Sequence, residues 1–166
     1  PLPKGCNWSI PLIKSRLKVY YEKIPSNSIR YFNSQLVNNY SDANVYGLAL
    51  ANQKSNNFKE SLSLIDKLIK KYPKNLFLNS SKIEILTQAK DYQSALSLSN
   101  KYLEISPKNY PLSIIKSKLL IEMKRYFESE EIIRDQLIRR NDDPELWLLL
   151  SEIQRSSKNV IGYHQS

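Results

Sequence analysis

Few side chains in this 166-residue sequence are of the types that carry out catalysis. The sole histidine, His164, and the sole cysteine, Cys6, stand near opposite ends of the chain. A zinc site needs several histidine, cysteine or carboxylate ligands, and a serine nucleophile needs a well-supported imidazole. The three glycines, Gly5, Gly47 and Gly162, are too dispersed for a phosphate-binding loop. We therefore predict no catalytic residue, metal ligand or cofactor site in this chain, and we expect a binding role.

The candidate binding residues are apolar and polar side chains that recur at helical spacing. Each is predicted to project from the first helix of a helix pair into a shared groove. Such a mixed groove suits an extended or helical peptide, because apolar anchors supply most of the binding energy and polar groups set the register. The alternative is that the same side chains only pack against neighbouring helices. The residues are Tyr46, Leu50, Gln53, Ser80, Glu84, Thr87, Ile114, Lys118, Ile121, Leu148 and Glu152.

A repeat period of about 34 residues defines the elements that would hold these side chains. Pro107 follows Pro73 by one period, and each proline is followed by Lys-Asn. The aromatic residues Phe58, Tyr92 and Tyr126 recur at the same interval. Between these markers, apolar residues follow the i, i+3, i+4, i+7 spacing of an amphipathic helix. A small residue follows each aromatic by three positions, at Ser61, Ala95 and Ser129.

A helix–turn–helix period of this length is that of the tetratricopeptide repeat. Trp147, Leu150 and Ser151 follow the opening of its W-x2-L-G pattern. We therefore predict an all-α fold, a right-handed superhelical solenoid of antiparallel helix pairs. The expected organisation is an irregular lead-in at 1–8, a leading helix pair at 9–41 and a repeat array at 42–166. Its units are predicted at about 42–75, 76–109 and 110–143, with a truncated unit at 144–166.

Three residues depart from the repeat pattern. Ile83 takes a position that is normally small, and Glu130 and Gln136 lie on the inner stripe of the third unit. We expect them to affect local packing and not the architecture. Towards the end of the chain, the pattern predicts one helix at 143–156 and a separate helix from 159 onward.

Charge is distributed unevenly along the chain. Residues 1–83 hold 13 basic and 4 acidic side chains, whereas residues 84–166 hold 12 of each. A basic half favours an acidic protein partner, a further domain of the same protein or an anionic lipid surface. The alternative is compositional bias, which the abundance of Lys, Asn, Ile and Tyr favours. Nucleic-acid binding is disfavoured because the side-chain code of helical-repeat RNA readers is not evident. The longest apolar run, Leu146–Leu150, is far shorter than the ~20 residues that cross a bilayer.

Five strings are more specific than the repeat alone. They are Leu12–Val19, Val45–Ala51, Asn109–Leu112, Asp142–Glu152 and Gly162–Gln165. The first four are similar, in the same order, to L-x-R-A-R-L-R-V, R-Y-G-L-A-L-A, N-Y-P-L and D-D-P-E-L-W-x-L-L-A-E, and the fifth to the helix opening that follows. These are strings of the periplasmic zinc metallopeptidases with a C-terminal tetratricopeptide domain, which include the barrel assembly-enhancing type. The resemblance covers residues 12–166.

The resemblance implies a parent protein whose zinc is held by a His-Glu-x-x-His motif in an N-terminal protease domain. No string here matches that motif, so no catalytic residue transfers to this chain. The resemblance also implies the periplasm of a Gram-negative bacterium, where the repeat domain docks on the outer-membrane barrel assembly machinery. There it would present misassembled barrel or lipopolysaccharide-transport proteins to the protease domain. Because the sequence starts at Pro1 without Met, we expect a piece of a longer protein whose signal segment lies elsewhere. The alternative is a stand-alone repeat adaptor or scaffold with no associated enzyme.

Overall fold

The computed structural model describes the backbone of residues 6–163 and the side chains of residues 10–158. Within that range every regular element is an α-helix, as predicted. The helices are α1 (Cys6–Tyr21), α2 (Pro25–Asn38), α3 (Asp42–Lys54), α4 (Phe58–Lys71), α5 (Leu76–Gln88), α6 (Tyr92–Ile105), α7 (Tyr110–Glu122), α8 (Tyr126–Leu137) and α9 (Pro144–Tyr163).

The helices belong to two compact units, Pro1–Ala89 with α1 to α5 and Lys90–Ser166 with α6 to α9. In the first unit, α2 packs against α3, α3 against α4 and α4 against α5. In the second unit, α6, α7, α8 and α9 pack consecutively in the same way. The boundary between the units lies between the two helices of the predicted repeat 76–109.

Several helices begin with a side-chain N-cap, and these capping residues recur at the repeat period. Asn75 and Asn109 stand one repeat period apart, and the Oδ1 atom of each accepts a hydrogen bond of 3.0 Å from a backbone N–H three positions later. Ser41 Oγ accepts from the N–H of Asn44 at 3.2 Å, so Ser41 caps α3. Each bond satisfies one of the N–H groups that a helix start leaves without a partner.

The links inside the helix pairs share one backbone conformation. Asn56, Lys90 and Lys124 have φ of 60°, 62° and 60°, and they recur at the repeat period. This left-handed conformation ends the preceding helix by turning the next N–H back onto it. Accordingly, the N–H of Arg125 donates to the carbonyl of Leu120 at 2.8 Å. The recurrence shows that the repeat extends to the backbone.

Small residues mark the close approach of paired helices, as the spacing predicts. Ser61 and Ser129 are fully buried. Ser61 Oγ donates to the carbonyl of Ala49 at 2.7 Å, and Ser129 Oγ donates to that of Ser117 at 3.0 Å. A larger side chain at these positions would separate α3 from α4, or α7 from α8.

The polar residues on the inner stripe of α8 are hydrogen-bonded. Gln136 is buried, and its Nε2 donates to Ser113 Oγ at 3.1 Å. Glu130 accepts from Arg134 on its own helix at 2.8 Å and from Gln154 on α9 at 3.3 Å. These partners satisfy the polar groups, so the helix packing tolerates them.

Two helix boundaries differ from the prediction. α1 begins at Cys6, so residues 6–8 are helical rather than irregular, while residues 1–5 lie outside the described part. α9 runs without a break to Tyr163 and absorbs the predicted separate helix at 159. Near the predicted break, Ser157 Oγ donates to the carbonyl of Gln154 at 3.0 Å, a bond made within the helix.

The leading helices do not form the expected pair. α1 packs mainly against α3 and has little contact with α2, although only a short link joins α1 to α2. α2 packs against α3, where its Phe32 lies over Gly47. The first three helices are thus organised around α3.

Candidate protein-binding surfaces

The candidate residues of the first unit lie on α3 and α5, but two of them are not open to solvent. Tyr46 is 0% exposed, and Leu50 is buried in the same apolar cluster as Leu12 and Val19 of α1. The prediction that Tyr46 and Leu50 project into an open groove is therefore corrected. The physical reason is that α1 packs on this side of α3, where the sequence analysis expected free space.

The remaining candidates of the first unit are half-buried. Gln53 Nε2 donates to Gln88 Oε1 at 3.1 Å, so these amides connect α3 with α5. Thr87 Oγ1 donates to the carbonyl of Ile83 on its own helix at 2.8 Å. Ser80 and Glu84 lie on α5, also half-buried. Glu84 reaches α1 through Arg16.

A chain of hydrogen bonds connects α1, α3 and α5. The guanidinium of Arg16 donates to Tyr46 Oη at 3.3 Å and to both carboxylate oxygens of Glu84 at 3.2 and 3.0 Å. Tyr46 Oη lies 2.9 Å from Ser81 Oγ, which donates to the carbonyl of Phe77 at 3.1 Å. In the bond between Tyr46 and Ser81, either hydroxyl can be the donor. Every polar group in this cluster thus has a partner.

The electrostatics of the cluster keep Tyr46 neutral and Arg16 charged. Burial raises the pKa of the Tyr46 hydroxyl, and the neighbouring Arg16 offsets only part of that effect. Burial lowers the pKa of Arg16, but the negative charge of Glu84 and the bonds to Tyr46 raise it above its ordinary value. The site therefore offers an acidic acceptor beside a hydroxyl, an arrangement suited to a guanidinium.

The candidate residues of the second unit are more open. Leu148 on α9 is 72% exposed, and Lys118 and Glu152 are also exposed. Ile121 is half-buried, whereas Ile114 is buried in the apolar cluster of this unit and serves packing. The prediction of a groove position is thus corrected for Ile114, because it is buried in a cluster formed with apolar side chains of α8 and α9.

An exposed ion pair connects α7 with α9 beside Leu148. Lys118 Nζ lies 3.5 Å from Glu145 Oε1, and both side chains are more than half exposed. The hydroxyl of Tyr110 donates to Glu145 Oε2 at 3.3 Å. Desolvation, together with Asp143 and Glu145, raises the pKa of Tyr110 to about 12. Exposed pairs of this kind contribute little to stability, so a charged ligand group can replace either partner at small cost.

The sequence did not predict two residues that form polar contacts at these surfaces, Arg16 and Glu145. Arg16 interrupts the apolar spacing between Leu12 and Val19, and this charge on an otherwise buried helix face was the available signal. Glu145 carried no comparable signal, because an acidic residue in the first turn of a helix has an ordinary capping role.

The residue types that bind metals are not grouped in the described part of the chain. No three His, Cys, Asp or Glu side chains are placed there to hold a metal ion. His164 lies outside the described residues, and Cys6 is in α1 with its side chain outside the described set. None of the described helices is both long and apolar enough to traverse a lipid bilayer.

The helix pairs and their repeat period are those of an all-α tetratricopeptide-repeat fold. The family model of the tetratricopeptide repeat matches residues 86–153. Tetratricopeptide domains generally bind proteins, so a role in protein–protein interaction follows at this level. A comparison with curated proteins found no match.

Solved structures with the same fold are similar to this chain at low sequence identity. A tetratricopeptide repeat protein from Parabacteroides merdae has a TM-score of 0.70 and 15% identity over 92% of this chain. This chain spans 60% of that protein, less than two thirds of its length. MamA from Desulfovibrio magneticus, solved from its residue 41 to the end, has a TM-score of 0.61 and 12% identity, with coverage of 94% of this chain and 92% of the solved chain. At such identities the similarity shows the fold alone.

Proposed function

We propose that this chain is a protein-docking domain whose second unit binds a peptide segment on the surface formed by α7 and α9. The observation that carries the proposal is Leu148, which is 72% exposed and lies on α9 between Glu145, the ion-pair partner of Lys118, and Glu152. An apolar anchor with flanking charges of both signs is the arrangement by which helical grooves fix a peptide and its register.

Burial of Leu148 by a peptide would change the free energy of binding by a measurable amount. Burying a leucine side chain contributes about 1.5–3 kcal/mol, and about 1.4 kcal/mol corresponds to a tenfold change in affinity. Leu148→Asp removes the apolar contact and brings a carboxylate to the same place. We therefore expect it to weaken peptide binding at least tenfold.

The test starts from peptides selected by phage display on the wild-type chain. Their affinities are then measured by fluorescence anisotropy for the wild type, Leu148→Asp and the control Phe127→Asp. Phe127 is a matched control, because it is 75% exposed and lies on α8. Peptides that lose affinity only with Leu148→Asp support the proposal. Peptides that bind all three chains equally, or a selection that yields none, contradict it.

We further propose that the parent is a periplasmic zinc metallopeptidase acting in outer-membrane barrel assembly and quality control. The five strings of the sequence analysis support this proposal. On this proposal, zinc belongs to a separate protease domain, and the repeats dock barrel-assembly partners or present misassembled barrel proteins. The parent gene provides the test. A His-Glu-x-x-His motif encoded upstream of Pro1 supports the proposal, whereas a gene without one favours the stand-alone adaptor.

A further inference from the structure

α1 is attached to the first unit mainly through its packing on α3. Its buried side chains, among those described, are Leu12, Ser15 and Val19, and α1 has little contact with the adjacent α2. On its outer side, Ile10, Ile13 and Leu17 are exposed. A helix that packs through one face, and mainly against one neighbour, can open locally while the rest of its unit stays folded.

Polar bonds fix the position of α1 on the unit. Arg16 bridges Tyr46 of α3 and Glu84 of α5, as described above. At the end of α1, Lys54 Nζ donates to the carbonyls of Val19 at 2.8 Å and Glu22 at 2.6 Å. These are the bonds of a ligand helix in a groove, with an apolar face, a charged group for register and a cap at one end.

The Arg16–Glu84 pair contributes to specificity more than to stability. The two side chains are 41% and 29% exposed, and ion pairs at such exposure add little to the free energy of folding. A guanidinium bound to both oxygens of a carboxylate is nevertheless geometrically demanding, and lysine does not reproduce it. The surface therefore selects an arginine at this position.

We propose that the α3–α5 surface is a binding site for an amphipathic helix with an arginine between two apolar residues, and that α1 is its intramolecular occupant. A partner helix with the same pattern, apolar at the position of Leu12, small at Ser15, arginine at Arg16 and apolar at Val19, displaces α1. This site lies in the first unit and does not depend on the α7–α9 surface.

Competition with α1 gives the proposal a quantitative signature. A ligand that binds only when α1 has left has an apparent affinity reduced by the fraction of molecules in which the surface is free. Weakening the attachment of α1 therefore tightens binding of a ligand in trans. Ordinary surface binding predicts no such gain.

The probe is a fluorescein-labelled synthetic peptide with the sequence of residues 9–24. Anisotropy titrations compare the full wild-type chain with the double variant Leu12→Ala/Arg16→Ala. We expect the peptide to bind the double variant at least tenfold more tightly. Adding Glu84→Gln should weaken that binding about two- to fivefold, whereas Glu60→Gln, at an exposed carboxylate on α4, should leave it unchanged.

A peptide in which the arginine is replaced by alanine completes a double-mutant cycle between that arginine and Glu84. It should bind more weakly than the parent peptide and should be insensitive to Glu84→Gln, because the same interaction is then removed from both sides. Equal affinity of the parent peptide for the wild type and the double variant would overturn the proposal. So would an effect of Glu84→Gln that is the same with both peptides.

If circular dichroism shows that the double variant has lost helix, the proposal is tested instead by hydrogen exchange on the wild-type chain. With excess peptide, the amides of α1 should lose protection while those of α2 keep theirs. Unchanged protection of α1 at millimolar peptide would show that α1 is a permanent part of the unit, and the proposal would fail.

Discussion

Gly47 on α3 is the position where adding one methyl group should do most harm. A Cβ atom at Gly47 would lie 2.2, 2.3 and 2.7 Å from three ring carbons of Phe32. Carbon atoms attract at about 3.5–4.0 Å and repel steeply at shorter distances. The Phe32 ring is 1% exposed and packs edge-on against Tyr31, so it has little room to move. Gly47→Ala therefore forces α2 away from α3.

Two effects of opposite sign determine how far Gly47→Ala changes the free energy of unfolding. Alanine favours the helix over glycine by about 1 kcal/mol. Overpacking a core by one methyl group typically costs about 1–3 kcal/mol. Because the added Cβ would lie more than about 1 Å closer to the ring than a normal contact, we expect a cost near the upper end of this range. We expect Gly47→Ala to lower the free energy of unfolding by about 1–2 kcal/mol, the difference between these two effects. Urea denaturation followed by circular dichroism at 222 nm measures it.

The control is the same substitution with a smaller neighbour. In a Phe32→Leu background the ring is absent, so Gly47→Ala should cost less than in the wild type. If Gly47→Ala alone were as stable as the wild type, or more stable, the close packing of α2 on α3 would be refuted.

Three further substitutions test single features of the fold. Ser28 is buried and its hydroxyl has no hydrogen-bond partner among the described residues, so Ser28→Ala should raise the free energy of unfolding in urea by about 1 kcal/mol. Lys124 has φ of 60°, so Lys124→Gly should raise stability by up to about 1 kcal/mol in a thermal melt. Burial raises the pKa of Asp42, but hydrogen bonds from Lys71 and Tyr72 bring it below its ordinary value. The stability that this adds is present above the ordinary pKa and is lost on acidification through the folded-state pKa. Asp42→Asn should therefore flatten the decline in urea stability below about pH 4.

Each of these results has a clear contrary outcome. A destabilised Ser28→Ala would mean that the hydroxyl has a partner. A lower melting temperature for Lys124→Gly would mean that lysine contributes contacts that outweigh its backbone strain; Asn56→Gly is the comparison, because asparagine tolerates this conformation better. An Asp42→Asn chain that loses stability on acidification as steeply as the wild type would place the acid sensitivity elsewhere.

The spacing of residues predicted the helix pairs because their determinants are local. Ser61 and Ser129 sit where paired helices approach closely, and a small residue three positions after an aromatic is visible in any one repeat. The cap at Asn109 is equally local, since its bond reaches only three positions along the chain.

The binding surface was less predictable because its state depends on distant contacts. The repeat places Tyr46 on the first helix of its pair, which is correct, but its burial is decided by Arg16 and Ser81, 30 and 35 residues away. The sequence alone treats α1 as one half of a helix pair, and nothing in its spacing shows that it packs on α3. Leu148 is 72% exposed, and its role in binding stays a prediction.

The three left-handed links have a consequence for how an array of such repeats grows. Asparagine or lysine, rather than glycine, adopts the same torsion each time, so the flanking helices must impose the bend on whichever residue stands there. Every added repeat then brings one bent joint together with the packing that bends it. The number of strained links and the amount of helix packing that holds them therefore increase together. The links of a longer array of these repeats would be no less stable than those of a short one.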